Sequence, residues 1–101
     1  MKILPIVCTL TPETVATRKA QLLPGLFRRA DTIEPTSDGY RLCFAGSREM
    51  FRAVAGAIDA ERQCCRFLRF ELTIEQDEGP LVLTLSGPSG AREFVAALCE
   101  V

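Results

Sequence analysis

Two cysteines stand side by side in "ERQCCRFLRFEL", residues 61–72, flanked by Arg62 and Arg66, and a third, Cys8, closes an apolar run near the N-terminus. Sulfur at these positions supports three kinds of chemistry. Three thiolates in a chain with no histidine suit a soft, thiophilic ion: Hg(II), As(III), Cu(I), or Zn(II) completed by a fourth ligand. Adjacent cysteines can also close a strained disulfide of the labile, regulatory kind, giving a redox switch. A cysteine-dependent enzyme is the third option. Without histidine it lacks a Cys-His or Ser-His pair and needs an arginine-lowered thiol pKa with a carboxylate as base.

The helical wheel separates the doublet. Successive helical residues point about 100° apart, so Cys64 and Cys65 do not share one packing direction. Cys65 falls on an apolar stripe with Phe51, Val54, Ala55 and Ile58, where a small hydrophobe is enough to explain it. Cys64 has no such explanation. Arg62 falls near the middle of the same stripe, where a charge is costly unless paired, and Glu61 or Glu71 is the expected partner. The candidate site is therefore Cys8, Cys64 and Cys65 as metal ligands, supported by Arg18, Glu61 and Arg62. Cys43 and Cys99 read as core filler.

These residues need elements to hold them. Residues 2–8, "KILPIVC", are apolar on both alternating faces and read as a buried strand, with Pro5 leaving one edge unpaired or bulged. "LTPETV" starts a helix, with Thr11 as cap and Pro12 in its first turn; Pro24-Gly25 interrupts it before a last turn to about Ala30. Ile33 and "YRLCF" form a hairpin around Ser37-Asp38-Gly39, with Tyr40, Leu42 and Phe44 sharing a face. Ser47 caps the helix that carries the cysteine doublet. From Phe67 the period changes to two: Phe70, Leu72 and Ile74 alternate with Arg69, Glu71, Thr73 and Glu75. "QDEGP" turns the chain into Leu81, Leu83 and Leu85, and "GPSG" opens a final helix with Phe94, Val95, Leu98 and Cys99 buried.

The order is β-α-β-β-α-β-β-α in a single domain spanning residues 1–101. It predicts an α+β fold, a mostly antiparallel sheet with helices packed on one face. If the first strand lies beside the strand after the second helix, Cys8 meets Cys64 and Cys65.

Composition bounds the partners. A 101-residue chain with 48% hydrophobic and 25% charged residues is an ordinary globular domain. Its formal net charge of -1 and dispersed arginines argue against nucleic acid as a partner. No run approaches a membrane span, and the N-terminus lacks a cleavable signal, so the expected setting is the cytoplasm, where thiols stay reduced. A homodimer through an exposed sheet face or edge is a further expected partner.

The segments "CTLTPETVATRKAQLLPGL", "DGYRLCF", "ERQCCRFLRFELTIE" and "GPLVLTLSGPSGAREF" together resemble a family of small bacterial proteins. Its members share a strand-end cysteine, a TP-initiated helix, a CC-x-F-L-x-F segment and a GP-x-G turn. The resemblance spans nearly the whole chain, with Cys8, Arg18, Cys64, Cys65, Phe67 and Phe70 at matching positions. It implies a common fold and supplies no activity.

Overall fold

A computed structural model of the chain describes residues 23–99. The expected first strand at residues 2–8 and the start of the first helix lie outside them. Helix α1 runs Leu23–Arg29 and contains both Pro24 and Gly25, so the dipeptide sits within helical backbone. Its end falls where the sequence predicts. Leu23, Leu26 and Phe27 are buried, and Phe27 meets Tyr40 edge-to-face at 5.5 Å.

The first hairpin pairs β1, Thr32–Pro35, with β2, Gly39–Phe44. Gly39 permits the close approach of β2 to its next neighbour: a Cβ there would collide with the backbone carbonyl of Leu85. Ser47 then caps α2, Arg48–Cys64, its side-chain oxygen accepting from the Met50 N–H at 3.1 Å. The second hairpin joins β3, Arg69–Ile74, to β4, Leu81–Ser86. Its turn has left-handed backbone at both Asp77 (φ 56°) and Glu78 (φ 54°), and the Gly79 N–H donates to the Gln76 carbonyl at 3.0 Å. That is the two-residue primed turn whose twist matches the strands, built without glycine at either central position. Helix α3, Ala91–Cys99, ends the described chain.

Among the described residues the sheet has four strands, all antiparallel, in the order β1-β2-β4-β3. Alternation does the expected work. Tyr40, Leu42 and Phe44 of β2 and Leu81, Leu83 and Leu85 of β4 all point inward and are buried beneath the helices, while Arg41, Cys43, Val82 and Thr84 point outward. Each such leucine or phenylalanine contributes roughly 1.5–3 kcal/mol by leaving water. The fold is α+β with its helices on one face, as the period change along the sequence predicts.

β3 departs from this pattern. Its inward residues Phe70 and Leu72 are only half-buried, and Ile74 is 58% exposed. β3 ends the sheet among the described residues, so its inner face is roofed only along one side by α2.

Candidate metal centre

The buried line of α2 is set by helical spacing: Val54, Ala57, Glu61 and Cys65 (the C-cap) are at most 4% exposed. Phe51, expected on this line, is 39% exposed, and Ala55 and Ile58 lie on a half-covered flank with it. The stripe read from the sequence was thus rotated toward its bulky members. Two positions in the true line, Ala57 and Glu61, carry little hydrophobic signal, and Glu61 carries the opposite one.

That rotation corrects the role expected of Arg62. Its side chain is 65% exposed and pairs with Asp59, Nη2 to Oδ1 at 2.9 Å and Nε to Oδ1 at 3.1 Å. Arg62 and Asp59 line the same half-covered flank as Phe51, Ala55 and Ile58, with the charged pair itself turned to solvent. Glu71, the other partner expected for it, instead pairs with Arg69 at 3.7 Å on the outer face of β3.

Glu61 is the buried charged residue among the described residues, 3% exposed, and Cys65 is 1% exposed. One turn apart on the same helical line, they meet: the Cys65 thiol donates toward Glu61 Oε2 with Sγ and oxygen 3.7 Å apart. The backbone locks the same pair. The Cys65 N–H donates to the Glu61 carbonyl at 2.6 Å, and the Leu68 N–H donates to the Cys65 carbonyl at 3.0 Å as the chain turns out of the helix. Phe67 and Phe94, edge-to-face at 5.1 Å, pack beyond the turn. The i, i+4 spacing of an acid and a cysteine is visible in the sequence, where Glu61 is instead an expected partner of Arg62.

Two ligands on one tetrahedral zinc, with Zn–S of ~2.3 Å and Zn–O of ~2.0–2.2 Å, stand about 3.5–3.7 Å apart. The separation of Cys65 Sγ and Glu61 Oε2 falls in that interval. The residue types fit as well, a thiolate and a carboxylate oxygen being ordinary zinc ligands.

The remaining predicted residues are placed as follows. Cys64 is the last residue of α2. Cys8 and Arg18 lie outside the described residues. Cys43 is on the outer face of β2 and Cys99 ends α3; neither they nor Cys65 form a disulfide among the described residues. Also among the described residues, no group of three histidine, cysteine, aspartate or glutamate side chains is close enough to hold an ion, and no helix is long and apolar enough to cross a membrane. Comparison of the chain with family models, with curated proteins and with solved structures finds no match.

Proposed function

We propose that the chain binds a soft metal or metalloid ion through the thiolates of Cys8, Cys64 and Cys65, with the Glu61 carboxylate as an oxygen ligand. The observation that carries this reading is the buried Cys65–Glu61 pair, held at a ligand-to-ligand distance by its own helix. The oxygen ranks the ions. A tetrahedral site of three sulfurs and one carboxylate suits Zn(II), whereas Hg(II), As(III) and Cu(I) would use the thiolates alone. Arg18, on the first helix as the sequence predicts it, would offset the negative charge of such a site. Arg62, turned to solvent with Asp59, is dropped from it.

Burial weighs against Cys65 as the nucleophile of a thiol enzyme. A reactive cysteine works as an exposed, electropositive thiolate, and Cys65 at 1% exposure beside a carboxylate is neither. The test is titration of reduced protein with Zn(II), Cu(I), Hg(II) and As(III), followed by thiolate absorption and calorimetry. Stoichiometric binding that is lost in the Cys64→Ser/Cys65→Ser variant is expected. Equal binding by wild type and variant would end the proposal.

A further inference from the structure

We infer that the glycine-rich turn opening α3 is a clamp that positions the Cys65 end of α2, with Gly87 as its positioning residue. The clamp is a property of the fold, whereas its effect on zinc rests on the proposed metal site.

Register brings the two segments together. Arg69 pairs with Ser86, so the next rung sets Leu68 opposite Gly87. Side-chain directions alternate along β4, and after inward Leu85 and outward Ser86 the inward direction returns at Gly87. That direction is full. A Cβ at Gly87 would stand 2.7 Å from the Ala91 Cβ, 3.2 Å from the Phe67 carbonyl oxygen and 3.7 Å from Leu68 Cδ2. The first neighbour belongs to α3 and is fully buried; the other two belong to the turn that follows Cys65. The Ala91 N–H donates to the Pro88 carbonyl at 2.9 Å, which folds the start of α3 back over Gly87. Glycine thus lets β4, α3 and the cysteine turn meet at close range.

The clamp has a second jaw. One turn into α3, Phe94 meets Phe67 edge-to-face at 5.1 Å, and Phe67 and Leu68 are both buried. Held from two sides, the turn keeps the Leu68 N–H on the Cys65 carbonyl at 3.0 Å, while the Cys65 N–H stays on the Glu61 carbonyl. Cys65 is the C-cap, with non-helical backbone (φ -103°, ψ 72°), and a helix end on its own frays. The aim of its thiol at Glu61 Oε2 therefore depends on the turn beyond it, and that turn on Gly87. A zinc ion that needs sulfur and oxygen at a fixed separation converts that aim into affinity.

Amide hydrogen exchange and zinc competition on the reduced protein, with Gly87→Ala and Phe94→Leu, test the clamp. The Leu68 amide reports the turn without any ion, and amides of central β4 report global opening in the same sample. Gly87→Ala should cost Leu68 roughly tenfold or more in protection relative to β4, because overpacking at this contact displaces the turn. Zinc affinity should fall by roughly 10–100-fold, the usual effect of losing a group that orients a metal ligand. Phe94→Leu removes only the ring contact and should show both changes at about threefold to tenfold; it decides the matter if Gly87→Ala does not fold. Leu83→Ala, in mid-sheet opposite Leu72, lowers stability but should leave zinc affinity within about twofold. Leu68 protection falling only in step with β4, unchanged zinc affinity in a loosened turn, or an equal zinc loss in Leu83→Ala would overturn the assignment. A wild type that binds no zinc ends the metal site instead, and the clamp then stands or falls on the Leu68 amide.

Discussion

Replacing Glu61 by glutamine tests the metal site at one atom pair. The variant keeps side-chain volume in a 3%-exposed position and keeps an oxygen in place, while removing the negative charge that faces Cys65. Structural zinc sites bind with about 10–16 kcal/mol, which divided among four ligands gives roughly 2.5–4 kcal/mol each. Complete loss of one ligand would thus cost about 10²–10³-fold in affinity, and a neutral amide oxygen retains part of it. We expect Glu61→Gln to weaken Zn(II) by roughly 100-fold, at the lower end of that range. Binding of Hg(II) and As(III), which use sulfur alone, should be nearly unchanged. Competition against a chromophoric chelator at fixed pH measures the zinc constant, and thermal melts without metal show whether the core has tolerated the change. Zinc affinity within twofold of wild type would refute the oxygen as a ligand. The carboxylate would then be an acceptor for the thiol and nothing more.

Arg62→Ala should leave zinc affinity unchanged and cost about 0.5 kcal/mol or less, because its partner Asp59 is equally exposed; chemical denaturation and the same competition assay check both halves. Leu83→Ala, at a fully buried site in central β4, should cost about 2–5 kcal/mol and lower Tm by roughly 10–30 °C by calorimetry. Ser47→Ala removes the cap of α2 and should cost about 1 kcal/mol in the same measurement. Glu78→Gly should act in the opposite direction. Left-handed backbone costs a side-chain-bearing residue ~1–2 kcal/mol, more than glycine loses in chain entropy, so urea denaturation should show a gain of roughly 0.5–1 kcal/mol.

Much of the fold was legible because strands and helices leave different periods. The alternation of Leu81, Leu83 and Leu85 and of Tyr40, Leu42 and Phe44 fixed which face met the helices, and the structure buries those six. The strand order was not legible, since no local signal says that β2 pairs with β4 across the intervening α2 and β3. The buried line of α2 was not legible either, for a physical reason. A helix packed near the end of a sheet has two apolar flanks, one under the core and one over the half-roofed groove of Phe51 and Ile58. Summing hydrophobicity around the wheel averages the two. That average moved Arg62 inward on paper and hid Glu61, whose burial depends on what the helix packs against and on the thiol one turn away.

The β2–β4 junction has a kinetic consequence. β1–β2 and β3–β4 are local hairpins that close on the order of microseconds, whereas their joining must first overcome the loop-closure entropy of the chain between Phe44 and Leu81. Helix α2 lies inside that connection and packs on α1 and β3, so its buried line is fully covered once the two halves of the sheet meet. During synthesis or recovery from unfolding, Cys65 is therefore open to oxidants and to stray ions until the final assembly step. Pulsed thiol labelling at this residue follows the joining of the hairpins directly: the buried cysteine is also a clock for the fold.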